Sequence, residues 1–133
     1  MATIKAYTDI SQSKKLAEIL SIDSADMCYI KHASSDNPNW EFNEDFPPMI
    51  LGNVPINEMT VETLPCWSLP ALLSIALPEE LEDNHFLTLQ KEKNEYCCCY
   101  EDINGNSFTH TFATNPIDAC VEMIIKLHEK DRL

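Results

Sequence analysis

The clearest structural signal in this chain is a β-hairpin in residues 96–112, YCCCYEDINGNSFTHTF. The dipeptide Asn104-Gly105 is the best short hairpin turn in the sequence, because both residues tolerate the positive φ angles of a type I′ turn. A strand is therefore predicted on each side of it. A further strand over 86–90 completes a three-stranded meander at residues 86–112.

A two-residue turn also fixes which residues of the hairpin face each other. Cys97 is then opposite Phe112 and Cys99 is opposite His110, so two thiols and an imidazole share one face of the sheet. Phe108 belongs to the same face, and free cysteines are commonly buried. We therefore expect this face to point into the core, with the thiols and the imidazole as packing residues.

Thiols and imidazoles are also zinc ligands, and a thiolate beside an imidazole is a nucleophile with its base. Cys97, Cys99 and His110 are therefore the candidate residues for a thiol-dependent enzyme or a small metalloprotein. The sequence has no CxxC or HxxxH pair to complete a zinc site. We predict no catalytic residue, no metal and no cofactor, and we keep the thiol or metal hypothesis as the alternative.

Several well-known sites are excluded by what the sequence lacks. Only two glycines occur, Gly52 and Gly105, whereas phosphate-binding loops need several. The oxygen-rich stretch at 102–106 resembles the start of a calcium loop, but Ala113 stands where the closing carboxylate is needed. A plain hairpin turn is therefore the better interpretation of that stretch.

The charge balance of the chain restricts its partners. Its 133 residues carry 9 Lys plus Arg against 22 Asp plus Glu, a formal net charge of −13. Phosphate binding depends on clustered cations, so neither a nucleic-acid surface nor an anionic membrane is expected to be bound. The length predicts one domain, residues 1–133. With no apolar run of about 20 residues and no export signal, we expect a cytoplasmic protein with reduced cysteines.

Helices are predicted before and after the meander. Apolar periodicity indicates helices over 9–20 and 69–77, and a last helix that begins at Pro116 after the cap Asn115. A buried strand is predicted over 27–30. This order predicts an α+β domain in which about three helices pack with a three- to four-stranded antiparallel sheet.

A long irregular loop is predicted for residues 33–65, because seven of the eight prolines fall in it or just after it and proline interrupts regular structure. Ordered loops of this length are often functional. Its aromatic residues Trp40, Phe42 and Phe46 lie among acidic residues and are the candidate partner-binding side chains. Covering the chain's own core is the simpler role for them.

Six short segments form a recognisable set: YTD at 7–9, QSKKLAEIL at 12–20, SADM at 24–27, PCWSL at 65–69, ALL at 71–73 and NPIDACVEMI at 115–124. Together they resemble a family of short uncharacterised proteins from gut anaerobes and their prophages. The resemblance implies a phage or mobile-element setting and carries no activity, cofactor or catalytic residue with it.

These observations predict a non-enzymatic binding or interaction protein whose partner is another protein. An acidic inhibitor that imitates nucleic acid is a further alternative, and it requires carboxylates in two spaced rows on one face. The sequence also leaves a homodimer open, through an exposed apolar loop or through pairing of the first strand of the meander.

Overall fold

The computed structural model describes residues 5–32, 49–50, 61–81 and 84–133. Its helices are α1 (Ile10–Ile19), α2 (Leu69–Ala71) and α3 (Pro116–Glu129), with a 3₁₀ turn at Ile22–Ser24 and a π-helical turn at Leu72–Ala76 that continues α2. Its strands are β1 (Met27–His32), β2 (Met49–Ile50), β3 (Val61–Cys66), β4 (Glu80–Leu81), β5 (His85–Glu92), β6 (Glu95–Glu101) and β7 (Ser107–Ala113). The strands form two antiparallel sheets, in the orders β2-β1-β3 and β4-β5-β6-β7. The predicted α+β class, with helices packed on an antiparallel sheet, is confirmed.

Within these ranges, none of the helices is both long enough and apolar enough to cross a membrane. The two longest helices begin with a side-chain cap. Asp9 accepts a hydrogen bond from the backbone N–H of Gln12 (2.7 Å), and the Gln12 side chain accepts one from the Asp9 N–H (3.1 Å), which forms a capping box. At α3, Asn115 accepts from the N–H of Asp118 (2.8 Å) and Pro116 occupies the first turn, as predicted.

The irregular loop predicted for residues 33–65 is wrong at its C-terminal end, because Val61–Cys66 forms β3 and pairs antiparallel with β1. Met49–Ile50 pairs with the other side of β1 as β2. Among the described strands, β3 lies at the edge of its sheet, and an edge strand tolerates Pro65 because proline there removes no ladder hydrogen bond on the unpaired side. The remaining residues of the predicted loop lie outside the described part of the chain.

A buried polar cluster around Thr8, which we call the Thr8 hub, joins the N-terminal segment to β1 and β3. The Thr8 hydroxyl accepts a hydrogen bond from the backbone N–H of Trp67 (3.1 Å) and lies 2.8 Å from the hydroxyl of Ser13. The Thr8 carbonyl accepts from the phenol of Tyr29 (2.7 Å) and the thiol of Cys66 (3.4 Å). Each of these buried groups has a partner, so its burial is not penalised by a lost hydrogen bond.

The same region anchors the start of α2. The indole N–H of Trp67 donates to the Ser24 hydroxyl (2.9 Å). The backbone N–H of Ser68 (2.9 Å) and the Ser68 hydroxyl both donate to the carboxylate of Asp26. Ser68 in turn accepts from the N–H of Ala71 (3.3 Å) as the cap of α2. These hydrogen bonds hold the start of α2 in the core and give its buried polar groups their partners.

The four-stranded sheet buries the face opposite to the predicted one. Helix α3 packs on the face that carries Cys98 and Tyr100, which are both 0% exposed. The Tyr100 phenol donates to the carbonyl of Pro78 (2.6 Å). On the neighbouring strand β5, Leu87 is paired with Tyr100 and Leu89 with Cys98, and both leucines pack against the same core.

The predicted inward orientation of Cys97, Cys99 and His110 is therefore wrong. These residues lie on the face of the sheet that turns away from α3, where Phe112 is 44% exposed. Both faces of the hairpin carry aromatic rings, so the hairpin pattern alone does not distinguish them. The apolar pair on β5 decides the orientation, because burying it removes more apolar surface from water.

The hairpin turn contains one residue with a positive φ instead of two. Gly105 has φ +83°, and its N–H donates to the carbonyl of Asp102 (3.0 Å), which is the geometry of a three-residue hairpin loop. The Asp102 carboxylate accepts from the N–H groups of Asn106 (2.8 Å) and Asn104 (2.9 Å), and these bonds lower its pKa. The carboxylate is thus used by the turn, in agreement with the turn interpretation of 102–106.

The longer turn introduces a bulge into the hairpin. The two predicted cross-strand pairs of Cys97 and Cys99 are confirmed, whereas Glu101 pairs with Ser107 and not with Phe108. Phe108 is left unpaired, and simple alternation no longer places it beside Cys99. Its ring instead contacts His85, with 5.7 Å between the ring centroids.

A second polar cluster joins the N-terminal segment to the start of α3. Lys5 Nζ lies 2.7 Å from Asp118 and 3.1 Å from Asp9, while Gln12 and Asn115 each donate to Asp118 at 2.7 Å. Partial burial raises the pKa of Asp118, but the hydrogen bonds from Lys5, Gln12 and Asn115 and the charge of Lys5 outweigh it. The net result is a lowered pKa.

Replacing Thr8 by valine (Thr8→Val) should lower the free energy of unfolding by about 2 kcal/mol, because it leaves the buried N–H of Trp67 without its acceptor. Urea denaturation followed by circular dichroism measures the change. Thr114→Val, at an exposed position, is the matched control and should stay within about 0.5 kcal/mol of the wild type. Equal effects of the two substitutions would contradict the role of the hub.

Replacing Lys5 by methionine (Lys5→Met) should lower the free energy of unfolding by about 1 kcal/mol near neutral pH. The folded-state pKa of Asp118 lies below the ordinary value of 3.8, so its stabilisation is complete above that value and is lost as the pH falls through the folded pKa. The difference between wild type and variant should therefore shrink in acid. Lys14→Met, at an exposed position of α1, should show no such trend, and a difference that persists in acid would exclude the ion pair as its cause.

Candidate interaction surface

The face of the four-stranded sheet that turns away from α3 is called the outer face. Alternation along each strand defines it, because the intervening residues Leu87, Cys98 and Tyr100 pack into the core. Its side chains are Phe86, Thr88, Gln90 and Glu92 of β5, Glu95, Cys97, Cys99 and Glu101 of β6, and Ser107, His110 and Phe112 of β7.

Two aromatic rings of the outer face are open to solvent. Phe86 is 46% exposed and Phe112 is 44% exposed. Helix α3 contacts β6 and β7, and it does so from the core side, where Ala119 accepts a hydrogen bond from the Thr111 hydroxyl (2.7 Å). Exposed apolar rings on a sheet face are typical of surfaces that bind another macromolecule.

The Cys97 thiol of the outer face is not activated. Burial, followed by the proximity of Cys99, raises the pKa of Cys97 to about 11, so this thiol is protonated near neutral pH. Cys99 is only 7% exposed. Its sulfur lies 3.5 Å from the Ser107 hydroxyl, which in turn lies 3.5 Å from His110 Nδ1. Cys99 therefore reaches the imidazole through Ser107.

The same residues do not form a metal centre. Across residues 5–32, 49–50, 61–81 and 84–133, no group of three or more His, Cys, Asp or Glu side chains is arranged to hold a metal ion. Cys97, Cys99 and His110 are thus brought onto one face, as the hairpin register predicts, without becoming a ligand set.

A shallow depression of about 320 Å³ lies away from these thiols, near the end of α3. The described residues that line it are Pro78, Glu80, Leu81, Asp131 and Arg132. Its charged side chains are thus two carboxylates and one guanidinium. The candidate thiols and His110 do not contribute to it.

The predicted loop residues Trp40, Phe42 and Phe46 lie outside the described residues, and their role in binding stays a prediction. The exposure of Phe86 and Phe112 is not predicted by the hairpin pattern. The pattern of β5 indicates the exposure of Phe86 instead, because Leu87 and Leu89 fall on the opposite face of that strand.

Native thiol labelling should modify about one of the six cysteines, and slowly. All six are free, five are buried, and Cys97 alone is partly exposed. Its rate of labelling should rise with pH toward about 11, because the thiolate is the reactive form. Cys97→Ser should abolish the reaction, whereas Cys99→Ser should retain it and make it somewhat faster, because it removes a neighbouring thiol that helps to raise the pKa of Cys97. Rapid labelling near neutral pH would contradict this result and favour the thiol-enzyme alternative.

Comparison of the chain with protein-family models, with curated proteins and with solved structures found no match. The chemistry and exposure of the outer face are therefore the basis for assigning a function.

Proposed function

We propose that this protein is a non-enzymatic, cytoplasmic binding protein that recognises another protein through the outer face of its four-stranded sheet. The observation that carries the proposal is the exposure of Phe86 and Phe112 on one face of a packed sheet. The resemblance noted above suggests a phage or other mobile element as the setting.

The position of the two rings suits protein recognition. Phe112 shares a cross-strand row with Cys97 and Gln90, whereas Phe86 lies at the other end of the face beside Glu101. The rings are thus separated by polar and thiol side chains, and Glu101 adds a carboxylate directly beside Phe86. Aromatic anchors within a polar surround are the usual composition of a binding surface.

The alternatives have less support. A thiol enzyme needs an accessible thiolate, whereas the pKa of Cys97 is raised and Cys99 is largely covered. An imitation of nucleic acid needs carboxylates in rows. The carboxylates of the outer face lie at its ends, with Glu92 and Glu95 beside the β5–β6 turn and Glu101 near the opposite end.

Affinity capture from the cells that produce the protein tests the proposal with the variant Phe86→Ser/Phe112→Ser. A protein captured by the wild type should be recovered at least about tenfold less well by this variant, because truncating an aromatic anchor costs about 2 kcal/mol or more. Quantitative mass spectrometry of the captured proteins provides the measurement.

Ile22→Ser/Ile103→Ser is the matched control, because it removes two side chains that are 56% and 94% exposed but lie outside the outer face. The control should retain the captured protein. Capture that is reduced equally by both variants, or by neither, would show that the outer face is not the binding surface.

A further inference from the structure

Strand β7 has a free edge. It is the last strand of the four-stranded sheet, and within the described ranges it pairs with β6 alone. One side of its backbone therefore presents N–H and C=O groups that an extended segment can pair with. Its 7 residues, Ser107–Ala113, are sufficient for a stable pairing with another strand.

Two lysines at the end of helix α3 contact this strand. Lys126 Nζ donates a hydrogen bond to the backbone carbonyl of His110 (3.1 Å), and Lys130 Nζ lies 5.5 Å from the ring centroid of Phe108. Glu122 precedes Lys126 by four residues, the spacing of a helical ion pair. Among the described residues, however, neither Lys126 nor Lys130 forms an ion pair.

The end of α3 is mixed in charge, since Glu129 and Asp131 alternate with three cationic residues. Lys126, Lys130 and Arg132 are three of only nine cationic side chains, against 22 acidic ones. Arg132 also stacks on Phe108, with 5.4 Å from its guanidinium carbon to the ring centroid. Three cationic groups thus contact β7 directly, at the backbone of His110 and at the ring of Phe108. A negatively charged segment paired with this edge would meet them.

We propose that the free edge of β7 binds an extended acidic segment of the partner protein, which adds to the sheet as a further strand. This inference rests on the proposed function and names the class of partner. On binding, Lys126 leaves the carbonyl of His110, a backbone N–H of the partner takes its place, and the freed ammonium pairs with a partner carboxylate. Alternate side chains of the added strand then lie beside Phe112 on the outer face and beside the lysines on the other.

Other occupants fit this edge less well. A second copy of β7 would bring another Lys126 and Lys130 to the same edge, and facing like charges are destabilising. A basic segment would meet the same repulsion. A nucleic-acid strand would place a continuous row of phosphates against a protein of net charge −13.

Fluorescence anisotropy with synthetic peptides about as long as β7 tests the proposal. One peptide alternates valine with glutamate, a second alternates valine with lysine, and a third is the glutamate peptide with alternate backbone amides methylated. We expect the wild type to bind the first peptide at least about tenfold more tightly than either of the others, because two ion pairs and a strand ladder are lost in them.

Charge reversal at the edge should reverse the preference. Lys126→Glu/Lys130→Glu should weaken binding of the glutamate peptide by at least about tenfold and strengthen binding of the lysine peptide. Lys14→Glu/Lys15→Glu, at exposed positions of α1, changes the net charge by the same amount and is the matched control. It should leave the order of the peptides unchanged. Circular dichroism establishes that both variants are folded.

The outcomes separate this inference from the proposed function. Equal binding of the two charged peptides, no binding of either, or equal effects of the two charge-reversal variants would overturn the acidic-strand assignment. Loss of capture with Phe86→Ser/Phe112→Ser would still support the outer face in each of those cases. A dimer that Lys126→Gln strengthens and that excludes the glutamate peptide would assign the edge to a second copy, and so would overturn the inference as well.

Discussion

The packing of Tyr100 and Cys98 against α3 determines which face of the four-stranded sheet is free. Tyr100 is fully buried, its phenol is hydrogen-bonded to the carbonyl of Pro78, and burial raises its pKa, so it remains a donor. Thr111 ties the adjacent strand to α3 through the carbonyl of Ala119. Turning the sheet over would break both bonds and expose the apolar pair on β5. The outer face, the free edge of β7 and the approach of the α3 lysines all follow from this one orientation.

The segments that carry the resemblance have a structural explanation. They contain Thr8 and Trp67 of the hub, Ser68 that caps α2, and the caps of both long helices. The outer face and the two lysines at β7 lie outside those segments. A protein that shares only these segments would therefore share the framework of hydrogen bonds, while its exposed sheet face could differ. These segments thus contribute to folding more directly than to recognition.

Much of the fold could be predicted because its signals are local. Helix caps at Asp9 and Asn115 depend on a few neighbouring residues, and the turn at Gly105 depends on one backbone conformation. The orientation of the hairpin could not be predicted in this way, because both of its faces carry aromatic side chains. It depends on β5, a strand whose pairing is a tertiary property. Strand β3 was missed for a related reason, since Pro65 argues against a central strand but not against an edge strand.

The residues that share the candidate site could be predicted from the sequence, but their exposure to solvent could not. The predicted register correctly places Cys97, Cys99 and His110 on one face, although the turn is longer than predicted, because the bulge beside Tyr100 restores the pairing of the two cysteines. Whether this face is exposed to solvent or buried depends on which face of the sheet α3 packs against. The bulge that separates Phe108 from Cys99 arises from hydrogen bonds in the turn, and the spacing of Asn104-Gly105 alone gives no sign of it.

A strand edge beside exposed rings favours aggregation. The charges that oppose aggregation here also allow an acidic protein to bind an acidic partner. Lys126 occupies the edge and opposes pairing between two copies, while the net charge of −13 keeps copies apart. The same net charge opposes an acidic partner at long range. At about 0.1 M salt, however, charges beyond about 10 Å are largely screened, whereas the ammonium groups of Lys126 and Lys130 would contact the partner directly. The long-range repulsion is therefore the weaker effect in salt, and the contacts at β7 determine which segment stays bound.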